Sequence, residues 1–120
     1  MKSAFEIMEI VNHSTGTPAR HRFSPLPGYP VATDGAIAVA EAAECYWLLD
    51  VVGSYQSDRA FDPEFQVWTL EVDLEESSGV VKGYNDRELI VTQEISFTDF
   101  PLEELKLYLI DGVIMLPSEY

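Results

Sequence analysis

The chain has few cations. Its 120 residues include 7 Lys and Arg against 21 Asp and Glu, a formal net charge of −14. Such a surface repels phosphates, which argues against direct binding to nucleic acid or to an anionic membrane. It favours a basic partner, such as a nucleic-acid-binding protein. Cysteine is almost absent. The single Cys45 cannot form an intramolecular disulfide, so a reducing, cytoplasmic setting is expected. Next to Tyr46 and Trp47 it reads as a small buried hydrophobe, with nothing nearby to lower its thiol pKa. Long apolar runs are missing too. No segment approaches the ~20 apolar residues of a membrane span. The first residues, Met1 to Glu6, carry an acid where a signal peptide would run apolar.

Catalytic motifs are equally scarce. There is no GxGxxG or GxxxxGKS/T loop to cradle phosphate, and no GxSxG elbow. Both histidines, His13 and His21, lie eight residues apart in or near a Gly- and Pro-containing segment, far in sequence from Cys45. They offer a weak basis for a metal site or a small enzyme site. Asp58, Asp62 and Glu64 lack the glycine and terminal glutamate of a calcium loop. The pairs Glu75-Glu76 and Glu103-Glu104 would need an opposing cleft to serve as acid and base. No catalytic residue, metal ligand or cofactor is therefore assigned from sequence.

Apolar residues make up 47% of the chain, enough for one core at this length. A single α+β domain over residues 1–120 is expected, with N-terminal helices on one face of an antiparallel sheet of about five strands. Residues 1–32 hold a short helix and a proline-rich loop. Ser3 and Glu6 are spaced as a capping box. Phe5, Met8 and Val11 fall at helical spacing, with Ile7 and Ile10 beside them, and Gly16 marks a stop. Pro18, Pro25, Pro27 and Pro30 then break regular structure, with Phe23, Leu26, Tyr29 and Val31 as anchors. Arg20, His21 and Arg22 form the one basic cluster, expected to pin this loop to carboxylates.

Residues 33–56 form the main helical region, capped by Thr33 or Asp34, with Leu48, Val51, Val52 and Tyr55 as its stripe. A change of direction near Glu44 would split it in two. From residue 65 to 117 the period shifts to two. Trp68, Leu70, Val72 and Leu74 alternate with Thr69, Glu71, Asp73 and Glu75, a buried face against a wet acidic one. A second strand over 80–84, a tight turn at Asn85-Asp86 and a strand through Leu89, Val91, Ile95 and Phe97 follow. Asp111-Gly112 predicts a two-residue hairpin pairing Ile110 with Val113, Leu109 with Ile114 and Leu107 with Leu116. Leu105, Leu107, Leu109, Ile114 and Leu116 then share one face.

Several stretches carry a resemblance: Thr33-Asp34-Gly35, Tyr46 to Asp50, Phe65 to Trp68, Val91 to Ile95, Phe97 to Leu102, Lys106 to Leu109, and Leu116-Pro117-Ser118-Glu119-Tyr120. Together they resemble a family of small bacterial, plasmid and phage proteins known only as a domain of unknown function, over roughly residues 13 to 120. The chain departs from that pattern in its longer Pro18 to Pro30 stretch. It also has Glu44-Cys45 where a glycine is expected. The resemblance implies no activity, but its setting on mobile elements raises the expectation of an accessory or anti-defence protein.

The functional expectation is therefore a non-enzymatic acidic binding module acting on a basic protein, an anti-CRISPR or similar inhibitor. Its contact residues would be Glu71, Asp73, Glu75, Glu76, Asp86 and Glu88. Two alternatives are a small enzyme or metal-binding protein with its site near His13 and His21, and a structural module. The second would use the rather apolar face of Tyr108, Ile110, Val113 and Met115 to form a homodimer.

Overall fold

The computed structural model describes residues 1–15 and 19–120. Gly16 and Pro18, expected as a helix stop and the start of the loop, lie outside the described residues. Helix α1 (Ala4–His13) begins as its cap predicts. Ser3 Oγ accepts from the Glu6 amide at 3.2 Å, and the Glu6 carboxylate accepts from the Ser3 amide at 3.4 Å. These bonds to Ser3 hold the Glu6 carboxyl below its ordinary range. The buried stripe is Ile7, Ile10 and Val11, an i, i+3, i+4 set. Phe5 and Met8 are exposed, because α1 touches the rest of the chain along that one stripe.

Helix α2 (Asp34–Ala42) is capped by Thr33 Oγ1, which accepts from the Ala36 amide at 3.2 Å. It ends where the Cys45 amide donates to Ala40 O at 2.8 Å and the Glu44 amide to Glu41 O at 3.3 Å. This is a Schellman closure, whose turning residue is usually glycine. Glu44 takes that place with φ +53°, so the expected change of direction is a left-handed residue. Helix α3 (Tyr46–Ser54) follows at once and buries Leu48, Leu49 and Val52.

The sheet has seven strands: β1 (Arg20–His21), β2 (Val31–Thr33), β3 (Phe65–Asp73), β4 (Ser78–Asn85), β5 (Glu88–Ile95), β6 (Glu104–Ile110) and β7 (Val113–Met115). Their spatial order is β1-β2-β7-β6-β3-β4-β5. The fold is α+β, as expected, with two more strands than the sequence suggests. Both extra strands come from the proline-rich stretch. There β2 pairs in parallel with β7, a long-range contact that local pattern does not announce. Leu26, expected as an anchor, is exposed.

The strands are not a simple meander. β6 lies beside β3 rather than β5, giving the order β6-β3-β4-β5 of a Greek key. Residues 96–103 make the crossing. They are tied by bonds from the Thr98 amide to Ser77 O and from the Val72 amide to Glu103 O, both 2.8 Å. Phe100 plugs the core from this segment, while Phe97 is exposed. Leu89 is also exposed. A bulge between Gly83 and Tyr84 shifts the register, so Leu89 pairs with Tyr84 on the outer face. Leu74 falls in the turn after β3 and is likewise exposed.

The C-terminal hairpin pairs Ile110 with Val113 and Leu109 with Ile114. Asp111 and Gly112 both have positive φ, as a type I′ turn needs. Leu107 and Leu116 do not pair, because the ladder ends at Met115 and the chain turns into a 3-10 helix over Pro117–Glu119. Both leucines are nevertheless buried in the same core as Leu105, Leu109 and Ile114.

α2 and α3 cover one face of the sheet. Trp68 is the largest side chain buried there. It packs between Phe61 and Tyr55, 5.1 and 5.6 Å between ring centroids. Its ring fills the space over Gly83, where a Cβ would come within 2.7 Å. Fully buried Gln66 completes this layer. Its amide donates to Gln56 Oε1 and Asp62 O and accepts from Gln56 Nε2 and Trp68 Nε1, all at 2.9–3.0 Å. Every hydrogen-bonding position of that amide is used.

Candidate functional site

Among the described residues, no helix covers the other face of the sheet, which presents the polar alternates of the strands. Two regions stand out on it.

One is the end nearest the β3–β4 turn. Glu71 on β3 lies directly opposite Glu104 on β6, and Val80 separates it from Glu94 on β5. Asp73, Glu103 and Glu104 join Glu71 around an open depression of about 740 Å³. Glu75 and Glu76 project from the adjoining turn and are exposed. Asp73 shapes that turn. Its Oδ1 accepts from the Glu75 and Glu76 amides at 3.0 and 3.2 Å. Among the described residues, Lys82 forms an ion pair with this group: its Nζ lies 2.9 Å from Glu71 Oε2. That hydrogen bond and the Glu71 charge raise the Lys82 pKa above its ordinary value.

The structure therefore brings together Glu71, Asp73, Glu75 and Glu76, and adds Glu103 and Glu104. Asp86 and Glu88 stand at the other end of the β4–β5 hairpin from the β3–β4 turn, although Asp86 still lines a groove with Glu71 and Glu104. Sequence reasoning had singled out the Glu103-Glu104 pair but not its place opposite Glu71. That needs the β3–β6 pairing, and only the Greek-key crossing produces it.

The second region lies towards the C-terminal hairpin. Tyr108, Ile110, Val113 and Met115 share the outer face and are each half-buried. Tyr108 packs with Phe65 and Tyr120 in a cluster of three rings, 5.5–6.1 Å between centroids.

The histidines stand apart from both regions. His13 is paired with Glu9 one turn back on α1, and His21 with Asp34 at the start of α2. The basic cluster thus does tether its loop through His21. Among the described residues, no group of three or more His, Cys, Asp or Glu is arranged to hold a metal ion. Cys45 is buried, and its thiol is pushed up to about 12 by burial first and by Asp99 second. A thiol in that state is not a nucleophile at neutral pH. No helix among the described residues is long and apolar enough to cross a membrane.

Residues 6–120 match a single family of sequences. The chain belongs to DUF6876, a family of unknown function. No curated protein and no solved structure matches it. In this DUF6876 chain two of the stretches that carry the resemblance meet in space. The Glu119 carboxylate accepts from Thr33 Oγ1 at 2.6 Å, from the Leu116 amide at 3.0 Å and from the Gly35 amide at 3.2 Å. It lies where a negative charge meets the positive end of α2. A Cβ at Gly35 would run into it at 2.5 Å. Phe97 to Leu102 is the crossing to β6, and Phe65 to Trp68 opens β3. These stretches hold the fold of this chain together, and the acidic end is built on their scaffold.

Proposed function

We propose that the chain is a non-catalytic acidic module that docks, through the β3–β4 turn and the start of β6, onto a basic macromolecule. The observation that carries this reading is Glu71 held opposite Glu104 on two paired strands, with Asp73 and Glu103 around the same depression. Like charges directly opposite each other weaken a sheet. A docked cationic surface relieves that repulsion and is steered in by the field of a −14 chain. In its finer form the partner is a basic, nucleic-acid-binding effector in the cytoplasm. The chain would be an inhibitor of the anti-CRISPR or wider anti-defence kind, carried by a phage or other mobile element. That part rests on the resemblance of its sequence.

The test reverses Glu75, Glu76 and Glu103 to lysine together. All three are exposed, and Asp73, which shapes the turn, is left in place. A pull-down from host lysate at low salt is expected to retain a basic nucleic-acid-binding protein. The reversal and raised salt should each release it. Retention by the triple variant at unchanged salt sensitivity overturns the reading.

A second reading is favoured by the half-buried face of Tyr108, Ile110, Val113 and Met115, which a second copy of the chain would cover. Sedimentation showing a monomer at high concentration removes it.

A further inference from the structure

On its outer face the sheet holds a polar group that no other group among the described residues satisfies. Thr69 sits at the middle of β3 and is only 9% exposed. Its Oγ1 has no hydrogen-bond partner among the described residues. Buried hydroxyls in folded proteins are nearly always bonded to protein, water or ligand. Thr69 lines a groove of about 370 Å³, walled by Val67 and Tyr84, and its Oγ1 lies just beneath the surface of that groove, within reach after a turn of the side chain.

Cations stand on both strands beside Thr69. Lys82 and Lys106 are the direct cross-strand neighbours of Thr69, one on each side. Arg87 reaches the same groove from the β4–β5 turn. Three of the seven Lys and Arg of a very acidic chain thus gather around one residue. Glu71 takes up Lys82. Among the described residues no ion pair holds Lys106 or Arg87. An unpaired donor below two unpaired cations makes a set suited to an anion.

The rim sets the selectivity. Glu71, Glu104 and Asp86 line the same groove. They repel a dianion such as phosphate more strongly than a monoanion.

We propose that the groove over Thr69 binds a carboxylate, with Lys106 and Arg87 taking its charge and the Thr69 hydroxyl donating to one of its oxygens. The carboxylate is either a small free acid or the acidic side chain of a docking peptide. This inference shares Glu71 and Glu104 with the acidic-end reading, but its test leaves Glu75, Glu76 and Glu103 untouched, so the two readings can fail separately.

The experiment is an amide-resolved NMR titration of the whole chain at constant ionic strength. Three probes are used: sodium acetate, a blocked Gly-Glu-Gly peptide, and sodium phosphate. Saturable shifts at Thr69, Lys82 and Lys106 are expected with the carboxylate probes. An equal response to acetate and peptide assigns a free acid, and a tighter response to the peptide assigns a protein partner. Phosphate should bind more weakly than either. Lys106→Gln and Thr69→Val should each weaken the carboxylate response about tenfold. Thr69→Val also removes the orphan hydroxyl, so its Tm should rise as binding falls. A rise in Tm with unchanged binding makes Thr69 a packing residue only and overturns the proposal. So does the absence of saturable shifts at these amides, or a tighter response to phosphate.

Discussion

Gln66, Trp68 and Leu70 on one face of β3, and Val67, Thr69 and Glu71 on the other, alternate along a single strand, yet their polar groups meet opposite conditions. The Gln66 amide under α3 uses all four of its hydrogen-bonding positions. Across the strand, the Thr69 hydroxyl has no partner among the described residues and Glu71 faces Glu104. The inner layer is built for stability. The outer layer keeps unmatched charge and an unmatched hydroxyl, both of which cost free energy that a binding partner would offset. Where a protein carries such unmet interactions on a rigid element, function is the first place to look for their cause.

Substitutions on the two faces should therefore move stability in opposite directions. The largest effect is expected inside. Trp68→Ala removes the centre of the aromatic layer and leaves Gln66 a partner short, at a cost of about 3–5 kcal/mol in urea unfolding. Gly83→Ala places a methyl group against the same ring, which Phe61 and Tyr55 hold from moving, and should cost about 1–3 kcal/mol. On the outer face the sign reverses. Thr69→Val should stabilise by about 1 kcal/mol, because it removes a buried hydroxyl that lacks a partner. Glu104→Lys should stabilise by about 0.5 kcal/mol by ending the like-charge pair with Glu71, with a larger gain at low salt. If Thr69→Val or Glu104→Lys destabilises instead, the contrast between the faces is broken.

The smallest effect at neutral pH belongs to Cys45. Its folded pKa of about 12 lies above the ordinary thiol value of 9.0, so the buried thiol favours the fold below pH 9. That contribution fades as pH rises from 9 towards 12, because only the unfolded chain ionises there. Folded protein should therefore resist thiol reagents at pH 8, and Cys45→Ala should flatten the alkaline part of the stability profile.

Features encoded within a few residues were legible in the sequence. The Ser3–Glu6 cap, the Thr33 cap, the reversal at Glu44 and the Asp111-Gly112 hairpin each depend on neighbours in the chain. Features set by distant partners were not. β2 becomes a strand because β7 offers it an edge, although prolines surround it. β6 settles beside β3 only after residues 96–103 cross the end of the β3–β4 hairpin. Leu89 belongs to the buried alternation by count, and the bulge opposite it turns it outward. The candidate sites divide in the same way. The acids of the β3–β4 turn are neighbours in sequence and stay together. Asp86 and Glu88 are carried by the hairpin to the end away from that turn, where Asp86 lines a groove shared with Glu71 and Glu104. Thr69 reads as one more wet residue of an alternating strand. Its burial follows from a lysine on each neighbouring strand, and no period of two contains that information.

The outermost strand of the sheet brings the acidity of the chain to bear on a different problem. Among the described residues β5 pairs only with β4, so one side of its eight-residue backbone faces outward, without a proline or a lysine along it to discourage company. Glu88 and Glu94 are the charges on that border, backed by the negative field of the whole molecule. Replacing both with uncharged residues would lift that guard and leave the border open to strand-by-strand stacking into fibrils. The surplus of negative charge thus opposes, through like-charge repulsion at this border, the addition of identical molecules to one another's sheets.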